Sequence, residues 1–201
     1  MADDGFHAPR LHLPVDLDAQ LALLPPRATC KGMFFLDPLE RARRRDPGAD
    51  VFALAGVTPR RYLAFLDYPH AEWMRVALAA AAVISPSGRV GDGLRELGRH
   101  AYDVIFENPI GKVLFGPMGF DLDQVFSHAG VGYRLGLGFG TVRSERIGPE
   151  HHRVVFRDFP SFLETFNVGV LEGGVLHYGC TPTVTLKLDG LAHAEMDVTW
   201  R

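Results

Sequence analysis

From Gly140 to the last residue, the apolar positions change period twice, and the changes spell out two hairpins around a helix. Gly140 to Ile147 and His151 to Phe159 are β-rich runs, with Gly148-Pro149-Glu150 between them as a turn. Pro160 then opens Ser161 to Tyr178, where Phe162, Phe166, Val170 and Leu171 recur near helical spacing until Gly179 supplies a stop. Pro182 to Lys187 and Ala194 to Trp200 alternate apolar and polar residues across Asp189-Gly190, as strands with one covered face do. The order predicts a four-stranded antiparallel sheet of ββαββ arrangement, with Val198 and Trp200 on the covered face. Gly169 and Gly173 share one face of the intervening helix and give a smooth strip for close packing, while Glu172 beside them reads as either a buried charge or a solvated position.

The preceding two thirds of the chain read as helical. Residues 1–14, with Pro9 and Pro14, form a loosely held lead-in, and 15–201 a single α+β domain. Val15 to Leu24 predicts a short helix ended by Pro25-Pro26. Asp37-Pro38 has the form of an N-cap followed by a first-turn proline, for a helix over Leu39 to Arg45. Thr58-Pro59 repeats that grammar and predicts a helix over Arg60 to Asp67, before Tyr68-Pro69 hands over to a central helix, His70 to Ile84, rich in small alanines. Val90 to Phe106 predicts one long amphipathic helix, and Pro109 to Phe115 and Leu122 to Ala129 two short ones. The glycines from Gly130 to Gly140 miss the dinucleotide fingerprint by one position and lack a preceding strand, so they predict a bend entering the sheet.

Composition narrows the classes of function. Hydrophobic residues at 47% and charged residues at 22% are ordinary globular usage. A formal net charge of −3 offers no broad attraction to phosphate backbones, so nucleic acid is not expected as a partner. No apolar run reaches the roughly 18 residues of a membrane span, and Asp3 and Asp4 stand where a secretory leader is positive, which predicts a cytoplasmic location. Two cysteines, Cys30 and Cys180, are too few for a disulfide framework and read as reduced thiols.

No recognised catalytic or metal motif appears: GxSxG, HExxH, a P-loop and paired carboxylates are all missing. Asp121 and Asp123 read as caps, and adjacent His151 and His152 on a strand point to opposite faces and do not chelate one ion together. The expectation is a non-enzymatic protein without a metal site.

The whole-chain order, helices followed by ββαββ, resembles the fold shared by TRAPP trafficking subunits, 4-vinyl-reductase-type domains and haem nitric-oxide-binding-associated sensors. Lys31-Gly32-Met33-Phe34-Phe35, Leu97-Gly98-Arg99, Gly169 to Gly173 and Val198-Thr199-Trp200 are similar to a myxobacterial paralogous family of unknown function. The resemblance implies a regulatory or scaffold protein that works by self-association or by holding a protein partner or a small apolar ligand, with a haem or other cofactor sensor as the alternative. It implies an acyl-chain role for Cys180 or Cys30, while His100 or His128, with Tyr102 or Tyr133 near, are the candidates for haem. Phe34 and Phe35 complete the candidate ligand surface, and together with Ala79 to Val83 they predict a homodimer interface.

Overall fold

The computed structural model describes residues 5–85, 87–107, 112 and 121–201; the helix expected over Pro109 to Phe115 lies outside them save for Lys112. The fold is α+β, with helices preceding a C-terminal four-stranded antiparallel sheet. Strands β3 (Thr141–Gly148), β4 (His151–Arg157), β5 (Pro182–Leu188) and β6 (Ala194–Trp200) stand in the order β3-β4-β6-β5. Period-two alternation buries Val154, Phe156, Val184, Leu186, Met196 and Val198 on one face, with Met196 paired to Val154 on one side and Leu186 on the other. Trp200 is on that face, half-buried at its rim, and stacks on Phe126 with centroids 5.4 Å apart and planes 9° apart.

Within the lead-in expected to be loosely held, His7 and Arg10 make specific contacts. His7 exchanges two 2.9 Å backbone hydrogen bonds with Leu186 on the outer edge of β5, and the Arg10 guanidinium pairs with Glu164 at 2.8 Å. Both contacts are long-range and leave no local periodicity to read.

Helices α1 (Leu17–Leu23), α2 (Met33–Arg45), α3 (Val51–Ala55), α4 (His70–Ile84), α5 (Val90–Arg99) and α6 (Ala101–Glu107) build the first part, with a two-stranded ladder of β1 (Thr29–Lys31) and β2 (Asp67–Pro69). Pro38 does not open a helix but sits inside α2. Its missing N–H would have bonded the carbonyl one turn back, at Phe34, and that oxygen instead accepts from the Trp73 indole at 3.1 Å. Arg60 to Leu66 is loop rather than helix, because Tyr62 is drawn into a stack on Phe35 at 3.9 Å and donates to Glu72 at 2.6 Å. Asp50 caps α3 by accepting from Ala53 N, and Gly56 closes it at φ 62°, a helix with ordinary signals that the sequence reading passed over.

Of the surface expected to make a homodimer, Phe35 and Ala79 to Ala81 are buried within the chain, while Ala82 is exposed and Phe34 and Val83 are half-buried. Phe35, Ala80 and Ala81 have no exposure, and the Ala81 carbonyl lies 2.2 Å from where a Cβ of Gly93 would stand, so α4 and α5 pack almost backbone to backbone. The long helix expected over Val90 to Phe106 is two, broken at His100.

Helices α7 (Leu122–Ser127) and α8 (Ala129–Gly136) lead into the sheet, and the bend expected over Gly130 to Gly140 is largely the helix α8. Its glycines serve close approach: a Cβ on Gly130 would meet the Val142 carbonyl of β3 at 2.3 Å. A π-helical turn, Leu163–Asn167, runs directly into α9 (Val168–His177). Against this pair α5 is pressed as tightly as two helices can be, since Cβ atoms on Gly98, Gly169 and Gly173 would stand 2.0, 2.1 and 2.2 Å from the carbonyls of Phe166, Arg95 and Arg99. Glu172 is a buried charge in this seam, accepting from Arg95 Nε and Arg99 Nε, both at 2.8 Å.

Gly173→Ala separates packing from propensity. An exposed helix position would gain up to about 1 kcal/mol from alanine, whereas overpacking this seam costs about 1–3 kcal/mol. Denaturant melts are expected to show a loss, and a midpoint at or above the parent's would contradict the contact.

Candidate functional site

Two apolar clusters make up the core, one among the helices and one between the sheet, α9 and α7. Where they meet they leave a cavity of about 100 Å³. That is several times the roughly 10–15 Å³ needed to seat one water, yet walls that are overwhelmingly apolar give water too few partners to be held well. Trp73 and Phe34 come from the helical side, Phe166, Val170 and Leu171 from the π-turn and α9, and Gly132, Tyr133 and Gly136 from α8. Gly132 and Gly136 are four residues apart, so one face of α8 is bare and Tyr133 stands beside it.

A short polar chain crosses this wall. Phe162 takes the left-handed conformation at φ 50° and is held there by its N–H donating to Gln20 Oε1 at 2.8 Å. The backbone thereby turns into the π-helix, a feature that recurs at functional sites. Ser161, just before it, faces His70 with Oγ 2.8 Å from Nε2. The Asn167 amide donates to the Ser161 carbonyl, and its Oδ1 accepts from the Tyr133 hydroxyl at 2.9 Å. His70 heads α4, its own N–H bonded to the Ala28 carbonyl at 2.9 Å and its ring against Trp73 and Phe139.

The titratable groups of the wall are neutral near pH 7. Burial lowers His70 to about 3, pushes the Cys30 thiol well above its ordinary value, and raises the Tyr102 and Tyr133 hydroxyls. Among the described residues, no Asp, Glu, Lys or Arg belongs to the lining. The Ser161–His70 pair has the spacing of a nucleophile and its base, but nothing accepts from His70 Nδ1 to orient the ring, and a base titrating near 3 takes a proton poorly at neutral pH. Among the described residues there is no group of three or more His, Cys, Asp or Glu side chains that could hold a metal ion.

Of the residues singled out from sequence, Cys30 and Phe34 line the cavity. Phe35 points the other way into the helical core, stacked on Tyr62. Cys180 packs beside the sheet cluster. His100 is held by Asp103 at 2.8 Å and Glu96 at 3.0 Å, and His128 Nδ1 meets the Gln124 carbonyl at 2.7 Å; neither belongs to the lining. Tyr102 and Tyr133 do. No local pattern marks His70, Ser161 or Asn167, whose meeting spans 91 and 6 residues of chain. The paired glycines of α8 were the available signal.

The buried neutral state of His70 makes stability pH-dependent. The unfolded imidazole takes its proton near 6.5 and the folded one only near 3, so this contribution is complete above about pH 6.5 and is lost as pH falls toward 3, at about 1.4 kcal/mol per pH unit. Urea melts of the parent and of His70→Phe are expected to converge, or cross, as pH drops from 6.5 to 4. Parallel curves would place His70 in contact with water.

The fold is similar to that of solved H-NOX proteins. One from S. oneidensis, in the Fe(II)NO ligation state, superposes with a TM-score of 0.66 at 13% identity, covering 85% of this chain and 99% of that one. The Fe(II) unliganded protein from K. algicida gives 0.64 at 15% identity, over 85% and 96% of the two chains. A variant of the T. Tengcongensis protein gives 0.63 at 15%, over 85% and 97%. The likeness thus falls on the haem-nitric-oxide branch of the expected resemblance rather than on TRAPP subunits, and at these identities it speaks for fold alone. No curated protein matches the sequence. Residues 24–201 match the family described as "Protein of unknown function (DUF2378)", and the chain belongs to that family.

Proposed function

We propose that this protein is a non-enzymatic sensor domain that binds a small, neutral, largely apolar molecule in the cavity between its helical and sheet clusters. The observation that carries the reading is the cavity itself, apolar, bordered by elements of both clusters and placed beside their tightest contact. An occupant touching both sides has a direct means of biasing how they sit together, which is what a sensor requires. The H-NOX likeness supports a sensor reading over a scaffold one, and no helix among the described residues is long and apolar enough to cross a membrane.

The lining does not suit haem. His100 and His128 are elsewhere, and among the described residues the wall carries no Arg or Lys to meet two propionate carboxylates. His70 borders the cavity, but its Nε2 is engaged with Ser161 Oγ at 2.8 Å and its Nδ1 is buried.

Ethylbenzene is a suitable first probe because it is neutral, apolar and compact. Titration followed by NMR is expected to show saturable shifts at Trp73, Phe166 and Tyr133 in the parent, lost in Val170→Trp, whose indole fills the space. Protein produced with haem supplied is expected to show no Soret band. Absence of saturable binding, or a stoichiometric Soret band, would overturn the reading.

A further inference from the structure

A second space lies on the outer side of the π-turn, a cleft of about 110 Å³ bounded by that turn, the lead-in from Arg10 to Asp16 and the turn that joins β5 to β6. Leu13, Leu163 and Leu191 are among its apolar sides, and Leu13 and Leu191 are each 41% exposed, so the cleft opens to solvent. At its rim the Arg10 guanidinium is tied to Glu164 at 2.8 Å.

Two deeply buried polar side chains border this cleft, Gln20 on α1 at 7% exposure and Thr165 in the π-turn at 6%. Gln20 Oε1 accepts from the Phe162 N–H at 2.8 Å. Only the oxygen of an amide can meet a backbone N–H, so the Nε2 donors are directed away from Phe162. Thr165 bonds Phe162 through its own backbone N–H, which leaves its hydroxyl unused. Among the described residues neither Gln20 Nε2 nor Thr165 Oγ1 has a hydrogen-bond partner. Neither is sealed off, since the buried side-chain atoms that are both unmet and without accessible surface are His70 Nδ1 and His151 Nε2. The little surface that Gln20 and Thr165 retain opens on the cleft they both line.

We infer that this cleft is a second ligand site, for a neutral amide joined to a small branched apolar group, with the amide carbonyl accepting from Gln20 Nε2 and the amide N–H donating to Thr165 Oγ1. It does not depend on the reading of the inner cavity. An amide carries an acceptor and a donor side by side, the complement of a side chain that can only donate there and a hydroxyl that can accept. The leucines take the apolar part, as in small-molecule sites where a few polar groups fix orientation. A carboxylate is disfavoured because Asp16 and Glu164 both belong to the lining and Arg10 is committed to Glu164.

Isovaleramide and methyl isobutyl ketone have nearly the same shape and differ in the amide nitrogen. Titrations followed by methyl NMR are expected to show saturable shifts at Leu13, Leu163 and Leu191, with the amide bound about tenfold more tightly than the ketone. The same shifts are expected in Val170→Trp, which fills the inner cavity. Thr165→Val, nearly isosteric, is expected to bring the two probes to equal affinity. Gln20→Glu keeps an oxygen for the Phe162 N–H but loses the donor, and is expected to weaken both; should it fail to fold, Thr165→Val carries the test alone. N-acetylleucine methylamide presents the same groups as a peptide does: tighter binding than isovaleramide assigns the occupant to a peptide segment, weaker binding to a free amide, and either upholds the site. No saturable shift at these leucines, equal affinities of the parent for amide and ketone, or loss of the shifts in Val170→Trp would overturn the inference.

Discussion

The arrangement of this protein depends on one contact, the backbone-to-backbone meeting of α5 with the π-turn and α9. Side chains are excluded along this line: a methyl group on Gly98, Gly169 or Gly173 would stand within about 2.2 Å of a facing carbonyl oxygen. Glycine inside a helix costs roughly 0.5–1 kcal/mol each, and dispersion over a surface this close offsets it. The contact also carries the one charged residue buried in it, for Arg95 and Arg99 on α5 reach around the seam to the same Glu172 carboxylate. Breaking such a cluster by removing the acid leaves two cations facing each other, which is why so polar a group is compatible with so apolar a seam.

The cavity follows from that contact. Phe166, Val170 and Leu171 continue from one side of the seam, Ala101 and Tyr102 from the other, and all five border the open space. Gly174 carries the geometry one step further, since a Cβ there would meet the Tyr102 ring at 2.9 Å. Bulky aromatics can fill a gap only in whole rings, and Trp73 and Tyr133 are already fixed by other obligations: the Trp73 indole serves the Phe34 carbonyl that Pro38 leaves unbonded, and the Tyr133 hydroxyl serves Asn167. The walls are thus held apart by hydrogen bonds at their rims, and His70 borders the space with its Nε2 held by Ser161.

The sheet and its helix were legible in the sequence because they obey local periods. The hairpins, the turns at Gly148 to Glu150 and Asp189-Gly190, and the close approach at Gly173 all stand where the pattern of residues put them. Expectations failed where a distant partner overruled a local signal. Asp37-Pro38 resembles a helix start, yet the indole of Trp73 makes an interior proline tolerable. Thr58-Pro59 resembles another, yet Tyr62 is committed to Phe35 and Glu72. The site was half legible: Cys30, Phe34, Tyr102 and Tyr133 were singled out and line the cavity, whereas His100 and His128 satisfy neighbours on their own helices, and the His70–Ser161 meeting depends on a left-handed Phe162 that no sequence period announces.

The central claim is that the seam between α5 and α9 leaves a dry apolar space between the two clusters. Xenon tests this most directly, because it enters dry apolar cavities and avoids wet or filled ones. A crystal of the protein pressurised with xenon is predicted to show a strong site bounded by Trp73, Phe166, Val170 and Tyr133, with no shift of the surrounding backbone. A crystal in which that space holds ordered water, or is closed by the side chains around it and takes up no xenon, would contradict the account.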